Sequence, residues 1–365
     1  MPSRVLMTGN EAAAEAAIRA GCRFYYGYPI TPQNEICAYM AAHLPEVGGT
    51  FLQAESELAA ISMVHGSAGA GARAMTSSSS PGISLKQEGI SYLAGSELPA
   101  VIINVQRGGP GLGDISASQS DYFQATRGGG HGDYRTLVLA PYSAQEMADL
   151  MFEAFDLADK YRTPVLVLAD AQLGQMMEPV EFRDDLKPKT VPKPWALTGA
   201  EGRARNIVMS FYPIKGELEA FNRRLQEKYT RIKAKEARCE EFQTKDAQII
   251  LVAYGTSARV CKEAVKKARE RGVGVGLIRP ITLWPFPERA IRKAAEKARA
   301  ILTVEMSLGQ MVEDVRLAVE GCCPVHLHGR PGGGVPATAD ILRELKKLNR
   351  TSGRVERRRA PALNS

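Results

Sequence analysis

Residues 98–114 read LPAVIINVQRGGPGLGD. The apolar run over 98–105 shows no alternation with polar residues, so both faces of the segment need cover. Strands of a parallel sheet packed between two layers of helices have that property. The run stops at Gln106-Arg107 and a cluster of glycines. An arginine at the carboxyl end of such a strand sits where open α/β sheets bind ligands. Glycines let the backbone approach closely, and a guanidinium grips a carboxylate through two parallel hydrogen bonds. Arg107 is therefore a candidate substrate-binding residue, against the plainer alternative of a structural arginine.

The same alternation extends outward from this strand. Helical patterns over 11–20 (opened by Asn10, a good N-cap), 33–43, 56–71, 85–94 and 143–158 are interleaved with strand-like segments at 22–26, 50–55, 72–77, 136–140 and 164–169. That order predicts a doubly wound parallel α/β sheet. From 178 to 244 the periodicity is lost, with prolines at 179, 188, 192 and 194 and then a basic helix. A second α/β unit starts at 246, with strands at 247–253, 273–278 and 300–304 and a helix over 258–270. The expected division is a first α/β domain over 1–190, an irregular and basic helical connector over 191–245, a second α/β domain over 246–345 and a basic tail over 346–365.

A chain of 365 residues with 44% hydrophobic and 24% charged residues is that of a globular protein of two or three domains. Its apolar runs are far too short for a membrane span, so no membrane association is expected. The N-terminal stretch lacks the apolar region and small-residue cleavage site of a secretion signal, which makes the expected location cytoplasmic. The six cysteines (22, 37, 239, 261, 322 and 323) form no CxxC pair, and the five histidines are scattered. No metal site or iron–sulfur cluster is expected on this chain. The net charge of +7 comes largely from 222–238 and 354–359. Those runs lack the aromatic interleaving of a nucleic-acid surface, so no nucleic-acid partner is expected; an acidic protein partner would suit them.

Four further stretches bear on chemistry. Gly69-Ala-Gly71-Ala-Arg-Ala74 matches a dinucleotide fingerprint, but it ends a helix and enters a strand, the reverse of what that motif requires. No Walker A pattern is present. Met75-Thr-Ser-Ser-Ser-Ser-Pro-Gly82 has the order strand, small-residue loop, helix N-terminus, which suits an anion or polar ligand and equally an ordinary serine-capped loop. Glu55 and Glu57 open an otherwise apolar helix, either to meet its macrodipole or, if buried, to share a proton with a ligand nitrogen. In YYGYPITPQNE (25–35), Pro29 and Pro32 stiffen an elbow around Ile30 and Thr31. Thr31 there is either the N-cap of the next helix, with Pro32 at its first position, or a hydroxyl aimed at a ligand.

Together, GNEAAAEAAIRAG, YYGYPITPQNE, QAESELAAISMVHG, AMTSSSSPG, VQRGGPGLGD and QSDYFQATRGGGHGDYR resemble the α subunit of 2-oxoacid:ferredoxin oxidoreductases, which depend on thiamine diphosphate. YGTSARV, GLIRPITLWPFP and EMSLGQMVEDVR extend the resemblance through the second domain. The glycine-rich 107–135 segment looks most like the branched-chain, 2-oxoisovalerate type, with 2-oxoglutarate and pyruvate types as alternatives. The resemblance implies a thiamine-type pyrimidine-binding first domain and a transketolase C-terminal-like second one. It places Glu57 on N1′ of the cofactor, with Glu55 as its competitor and Ser79 and Ser80 also toward the cofactor. Thr31 and Arg107, with Pro29 and Ile30, fall on the 2-oxoacid. The activity implied is oxidative decarboxylation to acyl-CoA and CO2, with coenzyme A as co-substrate and ferredoxin as electron acceptor. The GDG…N motif for Mg²⁺ and diphosphate is missing. A β subunit is therefore expected to carry Mg²⁺ and a [4Fe-4S] cluster, alongside γ and ferredoxin-like δ subunits. With the resemblance in hand, Thr31 is read as chemical, capping at most a second duty. Two readings of other classes stand beside it: a nucleotide-dependent transferase or dehydrogenase, and a non-catalytic assembly subunit of the same fold.

Overall fold

A computed structural model describes residues 4–183, 187–189 and 191–359, with side chains through residue 350. Along the chain run β1 (Arg4–Thr8), α1 (Gly9–Arg19), β2 (Phe24–Gly27), α2 (Asn34–His43), β3 (Thr50–Gln53), α3 (Glu57–Gly69), β4 (Ala74–Ser78), α4 (Ser80–Gly95) and β5 (Ala100–Gly108). There follow β6 (Asp114–Ala117), α5 (Tyr122–Arg127), β7 (Leu137–Leu139), α6 (Ala144–Tyr161), β8 (Pro164–Asp170), α7 (Ala171–Gln175), β9 (Met177–Glu181) and α8 (Glu217–Glu236). The remainder is β10 (Cys239–Phe242), β11 (Ile249–Val252), α9 (Gly255–Glu270), β12 (Val275–Pro280), β13 (Thr282–Trp284), α10 (Glu288–Ala295), β14 (Ala300–Glu305), α11 (Met311–Val319), β15 (Val325–Gly329) and α12 (Thr338–Arg359).

The larger sheet has the order β13-β7-β8-β5-β4-β2-β3, with β6 beside β5. Its strands are parallel except β6 and β13. All nine residues of β5 are buried, as its unbroken apolar run requires. Val101, Ile103 and Val105 join the apolar cluster of α1, α2 and α6, while Ala100 and Ile102 join that of α3 and α4. Alternate side chains of one strand thus face two helical layers, which is the doubly wound arrangement. The smaller sheet, β10-β12-β11-β14-β15, is parallel except for β10.

Several local expectations are corrected. Thr8, not Asn10, caps α1, in a reciprocal capping box with Glu11. Asn10 lies buried in the first turn and donates to the Pro32 carbonyl at 2.8 Å and to Glu35 at 2.7 Å. Segments read as irregular or unassigned form strands: β1 pairs with β9, and β10 edges the smaller sheet. β13, from the C-terminal half, completes the larger sheet against β7. Much of the basic tail, 346–359, continues α12; residues 360–365 lie outside the described residues.

The two halves are locked by buried polar groups. Gln119 receives the Ser257 hydroxyl (2.8 Å) and the Met306 N–H (3.0 Å), and donates to the Tyr254 carbonyl (2.8 Å). Arg279, 4% exposed, pairs with both Glu146 oxygens and with Glu240, and stacks 4.1 Å from the Tyr142 ring centre. Fully desolvated charges are tolerable only with such complete pairing.

Candidate active site

Four neighbouring strands, β5-β4-β2-β3, end on one edge of the larger sheet. The sequence-expected residues follow their carboxyl ends. Chain order runs from β2 out to β3 and then back across to β4, so the connections leave on opposite faces between β2 and β4. Such a switch point is where open α/β sheets bind ligands.

The elbow after β2 contains two prolines, which lack N–H groups, so it carries more acceptors than donors. Side chains from elsewhere supply the balance. Gln33 Nε2 donates to the Tyr28 carbonyl (3.3 Å), Arg107 Nη1 to that of Thr31 (2.9 Å), and Asn10 to that of Pro32. Gln33 is itself held by Ser77 Oγ, 2.5 Å from its Oε1, and Ser77 contacts the Tyr25 hydroxyl at 2.7 Å. Tyr25 also touches Cys37 Sγ at 3.0 Å. Helix α2 begins at Asn34 with Gln33 in the cap position, so Thr31 is not its N-cap. The half-buried Thr31 hydroxyl accepts from Asn34 Nδ2 at 3.2 Å. Ile30 is half-buried and Pro29 exposed, leading into the turn.

Arg107 is 6% exposed at the end of β5. Its Nη2 donates to the Leu112 carbonyl at 3.0 Å, and its buried Nε has no partner. Ser80 fixes the backbone here: its hydroxyl accepts from the Arg107 N–H (3.0 Å) and donates to Asp121 Oδ2 (2.6 Å), which Asn104 also contacts at 2.9 Å. Burial raises the Asp121 carboxyl, against the lowering effect of these donors. Ser80 thus serves the scaffold. Ser79, the residue between β4 and α4, has an extended backbone and a buried, unpartnered hydroxyl, as does Ser78. Native interiors rarely leave such groups unpaired, and a ligand is one thing that satisfies them.

Glu57 opens α3, is 6% exposed, and packs against the first turn of α4. A Cβ on Gly82 would lie 2.6 Å from Glu57 Oε1 and would collide with the Ser78 hydroxyl. Only glycine lets the two helices close on this carboxylate. Glu55, two residues earlier and outside the helix, is exposed. The sheet edge therefore joins Thr31 to Arg107 and Arg107 to Ser80, and sets Glu57 beside Gly82, while Glu55 and Pro29 stand outside.

Sequence reasoning missed Lys86, which is fully buried and donates to the Glu57 main-chain carbonyl at 3.3 Å. Burial pushes its ammonium down to about 8. The signal was a lysine on the Gly82-Ile83-Lys86-Gly89-Ile90 face of a helix. Among the described residues no group of three or more His, Cys, Asp and Glu side chains could hold a metal ion, and no helix is long and apolar enough to cross a membrane.

Residues 15–244 match the thiamine diphosphate-binding domain of pyruvate flavodoxin/ferredoxin oxidoreductases, and 247–341 match pyruvate:ferredoxin oxidoreductase core domain II. The chain is 53% identical, over 94% of its length and 97% of the relative's, to ketoisovalerate oxidoreductase subunit VorB of Methanothermobacter marburgensis. It is 40% identical, over 96% of its length and all of the relative's, to 2-oxoglutarate synthase subunit KorA of Methanothermobacter thermautotrophicus. In structure it resembles 2-oxoglutarate:ferredoxin oxidoreductase from Magnetococcus marinus, solved with 2-oxoglutarate, coenzyme A and succinyl-CoA bound. That likeness has a TM-score of 0.87 at 26% identity and covers 95% of this chain but 65% of the longer one. Fold, strand-end site and both domain matches agree: the chain belongs to the 2-oxoacid:ferredoxin oxidoreductase family, as a subunit carrying its thiamine diphosphate-binding domain and core domain II.

Proposed function

We propose that this subunit supplies the pyrimidine-binding and 2-oxoacid-binding half of an active site that oxidatively decarboxylates a branched-chain 2-oxoacid. The observation that carries this reading is the buried Glu57 carboxylate, cradled by Gly82, on the same sheet edge as the Thr31–Arg107 pair. The residues fit the aminopyrimidine ring of thiamine diphosphate: a water-excluded carboxylate at a helix start, with Gly82 against both it and the unpartnered Ser78 hydroxyl, and a second unpartnered hydroxyl on Ser79. When bound, that cofactor supplies the nucleophilic carbon and the electron sink for decarboxylation.

Glu57 accepts the hydrogen bond of the ring nitrogen and so holds a proton there, at a site closed to water by α4. Arg107 binds the substrate carboxylate with the N–H groups its resting contacts leave over, and the Thr31 hydroxyl orients the neighbouring carbonyl. Leu112, 82% exposed beside the guanidinium, offers apolar surface to a branched acyl chain. Mg²⁺, diphosphate and the [4Fe-4S] cluster fall to a β subunit. Ferredoxin as acceptor, coenzyme A as acyl acceptor and further γ and δ subunits complete the reading.

Two relatives named for ketoisovalerate at 53% identity, against 30% to 40% for those named for 2-oxoglutarate, favour the branched-chain substrate. The test is co-expression with the partner subunits and viologen reduction with 2-oxoisovalerate, 2-oxoglutarate and pyruvate, each with coenzyme A. The highest kcat/KM is expected for 2-oxoisovalerate. A preference for 2-oxoglutarate overturns the substrate assignment, and inactivity of a fully assembled, cofactor-loaded complex with all three favours an assembly role.

A further inference from the structure

We propose that Lys86 is a positioning residue for Glu57: α4 delivers its buried ammonium to the first turn of α3, where it anchors that turn and supplies the counter-charge to the carboxylate. The proposal rests on the reading of Glu57 as the partner of the cofactor ring nitrogen, and adds a second group to that site.

Gly82, Lys86 and Gly89 fall at i, i+4 and i+7, on one face of α4. Gly82 abuts the Glu57 carboxylate, and a Cβ on Gly89 would collide with Ile61, one turn along α3 from Glu57. Lys86 lies between these two close approaches and is 0% exposed, its Nζ 3.3 Å from the Glu57 carbonyl. Packing alone gives no reason for a cation here. A desolvated ammonium is costly, and the N-terminal end of α3 is already positive. A methionine would fill the same slot without that penalty.

The ionisable groups whose charge reaches Lys86 are Glu57 of α3 and Cys37 of α2. Burial raises the Cys37 thiol, which keeps it uncharged and leaves Glu57, whose main-chain carbonyl the ammonium touches, as the anion whose charge acts on it. Burial lowers Lys86 and Glu57 opposes that lowering. With Lys86 charged, the proton shared between Glu57 and a ring nitrogen rests on the nitrogen. Once Lys86 is deprotonated, that bias is lost, which places an alkaline limb near pH 8 on the proton-transfer step.

Two measurements test this. In the full-length chain alone, lysine labelled with ¹³C at Cε and assigned with Lys86→Met gives the Lys86 titration directly. The expected result is a midpoint well below that of ordinary lysines, falling further in Glu57→Gln. A Lys86 that titrates with the surface lysines, or that ignores Glu57→Gln, overturns the proposal. In the complex with its partner subunits, hydrogen–deuterium exchange at C2 of bound thiamine diphosphate is followed from pH 6 to 9. Lys86→Met is expected to slow it about tenfold below pH 8 and to remove the alkaline limb. Lys86→Arg is expected to restore the rate in part, and the melting temperature of Lys86→Met to stay level or rise. Exchange slowed by Glu57→Gln but untouched by Lys86→Met overturns this proposal alone. Exchange untouched by both overturns the cofactor reading and the proposal with it.

Discussion

Arg107 Nη1 donates to the Thr31 carbonyl at 2.9 Å, so the end of β5 and the elbow after β2 form one unit although β4 runs between them. The second guanidinium nitrogen, Nη2, holds Leu112; these two contacts use two of the five N–H groups, and the buried Nε has no partner. On the proposed reading, a substrate carboxylate takes the remaining N–H groups of the fork, or exchanges with one of the two carbonyls.

Replacing the fork with a point charge breaks this arrangement. Arg107→Lys is expected to raise KM for the 2-oxoacid by about 10- to 100-fold, or about 1.4 to 2.8 kcal/mol. It also lowers the melting temperature, because the Thr31 and Leu112 carbonyls lose their donors. Steady-state kinetics of the assembled enzyme and thermal unfolding of the chain check the two effects; an unchanged KM contradicts the substrate role.

Gly82 and Gly89 separate chemistry from packing. Both are crowded, Gly82 by the Glu57 carboxylate of α3 and the Ser78 hydroxyl of β4, Gly89 by Ile61 of α3. Alanine at either position is expected to destabilise the chain by about 1–3 kcal/mol. Only Gly82→Ala is expected to weaken thiamine diphosphate binding by about tenfold or more, since it alone displaces Glu57. Equal losses of affinity in the two variants contradict the cradle.

Lys86 also writes a signature into stability. In the unfolded chain it titrates near the ordinary lysine value of 10.5, and in the fold at about 8. Between those values the unfolded state holds a proton that the folded state has released, so stability rises with pH across that window. The contribution is on the order of 3 kcal/mol and is expected to vanish in Lys86→Met. Urea unfolding of both chains from pH 7.5 to 10 measures it, and identical pH slopes contradict the burial of a titrating lysine.

The domain interface gives a further test. Gln119→Leu leaves the Ser257 hydroxyl, the Met306 N–H and the Tyr254 carbonyl without their buried partner. About 2–6 kcal/mol of stability is expected to be lost, at about 1–3 kcal/mol for each of the two main-chain groups, the Ser257 hydroxyl being free to rotate. Gln226→Leu, on an exposed contact to the Asp133 carbonyl, serves as the control and is expected to change stability by less than about 0.5 kcal/mol.

The parallel core was legible because β5 and β8 are unbroken apolar runs and the helices between strands keep their period. Ser79, Glu57, Arg107 and the elbow could be placed at strand ends for the same reason. Short strands outside the alternating pattern were not legible. β1, β9 and β13 are three to five residues long, and their pairing depends on partners far along the chain. The cap of α1 was misread by two residues because Asn10 looks like a cap, whereas its amide is used in a contact 22 residues away. Thr31 was read as a possible cap because local rules favour it, but the elbow's surplus of carbonyls is satisfied by Gln33, Arg107 and Asn10. Lys86 stayed invisible because a lysine in a helix is ordinarily solvent-facing, and the two glycines that bury it act through tertiary packing.

The most direct measurement compares Glu57→Gln with Glu55→Gln in the complex with its partner subunits, following viologen reduction with 2-oxoisovalerate and coenzyme A. Glu57 is buried in the cradle and Glu55 is exposed. Glu57→Gln is expected to reduce kcat by at least about 10²-fold, the usual worth of a positioned proton-transfer group, while Glu55→Gln stays within about threefold of wild type. Full activity in Glu57→Gln, or the larger loss in Glu55→Gln, would contradict the assignment.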